Sequence, residues 1–239
     1  MTQRQILFPL FPGVTHLDFP GPHQVFSRLP ETQVITASMG GQDIKADGLT
    51  FAGLTDLASV TACDVICVPG GFGTVDAMGD EAFMAEIRRL AATATYVTSV
   101  CTGSLILAAA GLLTGRRAAC HWAWRDLLLP FGVEVMTDRV VRDGNIFTGG
   151  GVTAGLDFAL TLVAELEGAD LAQSIQLALE YAPAPPFESG RPELASEAVL
   201  ARMKQTYEPL VESRREAALQ AAARKIGRAS CRERVSSPV

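Results

Sequence analysis

Apolar residues recur along this chain in two alternating rhythms. Short, almost continuous apolar runs fall at residues 5–11, 33–39, 64–68 and Tyr96–Val100. Such runs predict buried strands. Between them lie longer stretches in which apolar side chains return every three or four residues, as in Phe83, Ile87, Leu90 and Ala91. That period predicts helices over 23–29, 81–94, 104–113, 122–129, 153–165 and 169–181. Residues 117–121 and 133–136 read as short strands, 40–54 as a loop or hairpin, and 140–147 as a hairpin turning at Asp143-Gly144. Pro9 suggests that the first strand is short or ends there. Strand–helix alternation with near-continuous apolar strands predicts an α/β fold, a mostly parallel sheet with helices on both faces.

Composition narrows the classes. The chain has 239 residues, 48% hydrophobic and 19% charged, with a net charge of −6. That suits a compact, folded protein and argues against a nucleic-acid or anionic-membrane surface. No apolar stretch reaches transmembrane length, and the N-terminus runs directly into the first strand with no room for a signal peptide, so a cytoplasmic location is expected. Cysteines at 63, 67, 101, 120 and 231 form no Cys-x-x-Cys, and histidines at 16, 23 and 121 lack zinc-ligand spacing. Neither a disulfide framework nor a metal site is expected. Residues 1–225 read as one domain with a helical extension from about 193. Residues 226–239, Ser- and Arg-rich without apolar period, read as a frayed or vector-derived tail outside it.

The candidate chemistry centres on Cys101. It stands between the strand Tyr96–Val100 and the helix that Thr102-Gly103-Ser104 opens. A polar residue on a sharp strand-to-helix turn has the geometry of a nucleophile elbow, where helix amides favour the thiolate and lower the thiol pKa. A buried structural cysteine is the bland alternative. In an open parallel sheet, ligands sit beyond the carboxyl ends of the strands, where three further loops converge. Gly70-Gly71-Phe72-Gly73 can bring backbone close to a reacting atom, with the Gly71 and Thr102 amides as an oxyanion hole. Asp18 precedes a Pro-Gly-Pro turn. Beside a thiol it would have to be the protonated partner, while the commoner use of such an aspartate is to cap the next helix. Gly149-Gly150-Gly151-Val152 can floor a small pocket or simply pack tightly. Each histidine could approach the thiol, yet each also suits a structural role, and Trp122 and Trp124 suit core or interface.

These residues also carry a family signature. Asp18-x-x-Gly21-Pro22, Val68-Pro69-Gly70-Gly71, Val100-Cys101-Thr102-Gly103, Ala110-Gly111-Leu112-Leu113-x-Gly115-Arg116-Arg117, His121-Trp122 and Thr148-Gly149-Gly150-Gly151-x-Thr153-Ala154-Gly155-x-Asp157 together resemble the DJ-1/PfpI superfamily over residues 5–181. The resemblance implies a flavodoxin-like sandwich that forms a homodimer. With Glu180 to Phe187 added, it points to the branch that hydrates isocyanides to N-substituted formamides without a cofactor. It assigns Cys101 as nucleophile, attacking to give a covalent thioimidate. It assigns Asp18, where most of the superfamily has glutamate, as general acid/base, and makes Thr102, where peptidase-like members have histidine, a catalytic residue, with Asp18 or Thr102 positioning the water. Phe72, Gly150, Gly151 and Val152 are the expected walls for a small apolar isocyanide. Two other readings share the signature. One is the ligand-sensing half of AraC-type regulators, from which this chain departs in its acidic charge and its short, plainly helical stretch after Tyr181. The other is a redox or stress protein using Cys101 as an oxidation sensor.

Overall fold

The computed structural model describes residues 3–235, with side chains through 224. The chain runs β1 (Arg4–Pro9), α1 (Pro20–Phe26), β2 (Thr32–Ser38), β3 (Ile44–Ala46), β4 (Leu49–Phe51), β5 (Thr55–Asp56), β6 (Val65–Val68), α2 (Thr74–Gly79), α3 (Glu81–Ala91), β7 (Tyr96–Val100), α4 (Gly103–Ala109), β8 (Arg117–Ala118), β9 (Glu134–Val135), β10 (Val140–Asp143), β11 (Ile146–Gly149), α5 (Ala154–Glu167), α6 (Ala169–Ala178) and α7 (Glu197–Val235). Seven strands form one sheet in the order β10-β11-β7-β6-β1-β2-β5. Only β10 runs antiparallel, turning at Asp143-Gly144 into β11 as the sequence predicts. Every residue of β6 is buried, which a strand achieves only with both faces of its sheet covered.

Helices supply that cover in two groups. α1 and α6 each pack on α5, while α2, α4 and α7 pack together. Aromatic contacts mark the core, with Phe26 edge-on to Phe158 at 5.8 Å and Phe11 edge-on to Phe83 at 5.7 Å. Pro9 is the last residue of β1, where its missing N–H costs the ladder least.

Several local expectations are corrected. The helix expected over 104–113 ends at Ala109, because Gly111 takes a left-handed φ of 86° and turns the chain away. The helix expected at 122–129 is a 3-10 segment, Arg125–Phe131, with Pro130 inside it. The strand expected at 117–121 is two residues long. α2 was not anticipated. It is separated from α3 by Asp80, whose Oδ1 accepts the Ala82 and Phe83 amides at 3.0 Å each and caps α3. The extension expected from about 193 is one helix from Glu197, and its backbone stays helical past 225 as far as Val235. The remainder of the expected tail, 236–239, lies outside the described residues. No helix among the described residues is long and apolar enough to cross a membrane.

The junction that carries the site is tightly packed. A Cβ on Gly103 would press into the Val68 carbonyl oxygen, and one on Gly70 would meet the Thr102 amide and hydroxyl. Backbone occupies these spaces, so neither neighbour can yield. Gly103→Ala is expected to destabilise the chain by about 3 kcal/mol in urea unfolding, the cost of overpacking a rigid core.

Candidate active site

Cys101 closes β7 and opens α4 in a left-handed conformation, φ 58°, rare for a non-glycine residue and costing on the order of 1–3 kcal/mol. Surrounding bonds hold it there. Its amide donates to the Gly149 carbonyl at 3.0 Å. One turn on, Ser104 Oγ donates to the Ala119 carbonyl at 2.6 Å and lies 2.9 Å from Ser99 Oγ. The Ala119 amide in turn donates to Thr148 Oγ1 at 2.8 Å. Small buried hydroxyls thus tie β7, α4 and β11 into the elbow.

The Asp18 loop is strapped to the Gly70 loop. The Thr15 amide donates to the Gly70 carbonyl at 2.9 Å, and the Gly73 amide to the Gly13 carbonyl at 3.0 Å. This brings Asp18, fully buried, beneath the elbow, where the Gly70 amide donates to its Oδ2 at 2.8 Å. Asp18 is not a helix cap. Phe19 holds that position in α1, and Pro20 begins the helix with no N–H to satisfy, so the carboxyl is free to turn inward. It reaches the Cys101 side chain, while Oδ1 is buried with no hydrogen-bond partner of ordinary geometry among the described residues.

Burial raises the Asp18 pKa from its ordinary 3.8 to about 7, against the opposing pull of the Gly70 amide and Cys101. The Cys101 thiol is pushed well above its ordinary value, first by burial and then by the charges of Asp18 and Cys120, with the Thr102 amide opposing. The lowered thiol pKa expected from the helix terminus is therefore not what the isolated site provides. A seven-residue helix offers a weak field, and desolvation outweighs it. The protonated Asp18 expected from the sequence agrees with the direction of its shift. The two acids are best treated as one coupled pair.

The expected oxyanion hole is half formed. The Thr102 amide bonds the thiol sulfur. The Gly71 amide instead donates to Thr102 Oγ1 at 2.9 Å, and that hydroxyl sits 2.8 Å from Thr74 Oγ1. Thr74 also donates to the Gly71 carbonyl at 2.8 Å. The Thr102 hydroxyl is thus spent on holding the glycine loop.

Cys101 opens onto a cavity of about 90 Å³, walled by Phe72, Thr102, His121, Trp124, Val152, Tyr207 and Arg214 among others. Phe72 and Val152 wall this cavity, while Gly150 and Gly151 line an adjoining cavity of about 220 Å³ that shares His121 and Val152 with it. The Gly150 amide donates to the Arg139 carbonyl at 2.9 Å. His121 reaches the pocket as a neutral ring. Burial, then Arg214, lowers its pKa to about 4, and its Nδ1 accepts the Ala123 amide at 3.3 Å. His16 pairs with Asp47 on the surface, and His23 packs beside Phe8. Trp124, read as core or interface, walls the pocket.

Tyr207 and Arg214 went unnoticed in the sequence. They lie seven residues apart on α7, in the stripe Tyr207, Leu210, Val211, Arg214, Ala218, Ala221, Ala222 that faces the body of the protein. An arginine within an otherwise buried stripe was the available signal. Among the described residues no cluster of three or more His, Cys, Asp or Glu could hold a metal ion.

Known proteins share this architecture. The DJ-1/PfpI family model matches residues 4–165. The isonitrile hydratase of Pseudomonas putida is 51% identical over 224 residues, which cover 92% of this chain and 97% of that protein. Among solved structures, a THiJ/PfpI family protein from Pseudomonas syringae superposes with a TM-score of 0.86 at 39% identity, covering 93% of this chain and 91% of that one. Drosophila melanogaster DJ-1beta superposes with a TM-score of 0.68 at 26% identity, over 76% of this chain and all of that one.

The raised pKa of Asp18 has a consequence for stability. Its folded-state value lies above its unfolded value, so its contribution is full below about pH 4 and is lost as pH rises through about 7. The loss is on the order of 4 kcal/mol. Asp18→Asn is therefore expected to melt above the parent at pH 8, with the gap closing by pH 4. Equal gaps at both pH values in thermal unfolding would show that another group titrates.

Proposed function

This chain belongs to the DJ-1/PfpI family, and on that footing we propose that it hydrates isocyanides to N-substituted formamides. The observation that carries the reading is the buried Asp18–Cys101 pair, with an unpartnered carboxyl oxygen beside a thiol at the floor of a small, largely apolar cavity. The substrate class follows from the 51% identity to an isonitrile hydratase that this chain covers nearly end to end.

The residues support a balanced cycle. It starts with Cys101 as thiolate and Asp18 protonated. Sulfur attacks the terminal isocyanide carbon, forming the C–S bond, and Asp18 gives its proton to that carbon, leaving a thioimidate. Water then adds to the same carbon as Asp18 carboxylate takes a proton from it and passes one to nitrogen. In the resulting adduct the hydroxyl proton goes to Asp18 and the C–S bond breaks. Formamide leaves, and thiolate and protonated Asp18 are restored. In this cycle the Thr102 amide steadies the sulfur, while its hydroxyl acts only by fixing the glycine loop. Phe72, Trp124 and Val152 offer apolar walls to the substrate. A homodimer belongs to the same proposal and rests on the family resemblance alone.

Formamide appearance from cyclohexyl isocyanide tests the reading. The parent is expected to turn over and Cys101→Ala to be inactive, and full turnover by Cys101→Ala would sink the nucleophile. Asp18→Asn is expected to lose roughly 10²–10⁴ in kcat, the usual worth of a positioned acid/base.

A further inference from the structure

Arg214 is a charge in an unusual place. The residue is 4% exposed on a helix face that otherwise buries tyrosine, leucine, valine and alanine. Its guanidinium lies 4.4 Å from the centre of the Trp124 ring and 5.4 Å from that of Phe72, and it donates to the Phe72 carbonyl at 3.3 Å. Among the described residues it has no carboxylate partner. A buried cation without a counter-charge is costly, so such a group is kept where something else supplies the negative charge.

The groups around it identify that charge. Arg214 and Cys101 wall the same cavity of about 90 Å³. The titratable and charged groups facing Cys101 are Asp18 from the 3-10 turn before α1, Cys120 and His121 from the segment after β8, and Tyr207 and Arg214 from α7. Arg125 acts one step back, on Cys120. Of these, Asp18 is the acid partner, His121 is neutral near pH 7, and Cys120 and Tyr207 carry no positive charge. Arg214 is the cation that remains. Arg214 feels the charges of Cys101, Cys120 and Tyr207, and in turn lowers the last two, whereas burial, the Gly70 amide and Cys101 govern Asp18.

We propose that Arg214, clamped between Trp124 and Phe72, is the positioning residue that makes Cys101 a thiolate, by drawing the negative charge of the Asp18–Cys101 pair onto sulfur and leaving the shared proton on the carboxyl. No atom is gained or lost in this step, since the proton moves from Cys101 Sγ to Asp18 Oδ1. The role deepens the proposed function and rests on its cysteine nucleophile, though not on its substrate. It also accounts for a thiol that lacks an adjacent histidine base and gains little from a seven-residue helix.

The test follows alkylation of Cys101 by iodoacetamide across pH 5–10, read on the Cys101 peptide by mass spectrometry so that the other cysteines do not contribute. In Arg214→Gln the midpoint of the alkylation profile is expected to rise by at least one pH unit, a roughly tenfold slower reaction at pH 7. Arg214→Lys, which keeps the charge, is expected to return most of that shift. Arg214→Met serves as a second neutral variant should the glutamine form not fold. A merely structural role would change the rate equally at every pH and leave the midpoint in place, and that result overturns the proposal. An equal shift in the lysine and neutral variants also overturns it, because charge would then not be the agent. Isocyanide turnover is measured separately. Its absence alongside the expected shift would fault the substrate and leave Arg214's role standing.

Discussion

Two buried acids in contact cannot both give up their protons. Asp18 and Cys101 share that predicament, and much of the local structure is arranged around it. Burial works against charge on either group, and a charge on one works against a charge on the other, so the pair resists losing its second proton. The Gly70 amide bonded to one carboxyl oxygen orients Asp18 and leaves the other oxygen bare toward the thiol. Each neighbour matters for how it tilts the place of the proton that remains.

Holding the pair in register takes unyielding backbone. The strap from residues 13–15 to the Gly70 loop sets the height of Asp18. The elbow sets the height of Cys101 at the expense of a left-handed φ. The two loops touch through Thr102, whose hydroxyl receives the Gly71 amide. The threonine next to Cys101 thus supplies a brace between the two loops. The price is an amide that could otherwise have faced a developing anion.

The sheet, its hairpin and the elbow were legible in the sequence because strand-length apolar runs and a polar strand–helix junction have few other solutions. Cys101, Asp18, Phe72 and Val152 meet as expected because all sit beyond the carboxyl ends of parallel strands. What stayed hidden depended on partners distant in the chain. Whether the Gly71 amide is free depends on a hydroxyl 31 residues away, and whether Gly150 faces the pocket depends on the Arg139 carbonyl. The motif shows the helix terminus but not the depth of burial, which works against the thiolate. Residues 193–225 were read as plain helix because their charged faces dominate the composition, and Arg214 was lost among the other arginines.

The pocket is assembled from two distant parts of the chain. The stretch that the family model matches, residues 4–165, holds Cys101, Asp18 and the Phe72 and Val152 walls. Tyr207 and Arg214 come from α7, beyond that boundary. A pocket whose walls come from both ends of the chain is complete only once α7 has docked against the sheet, so its shape depends on how that last helix is seated.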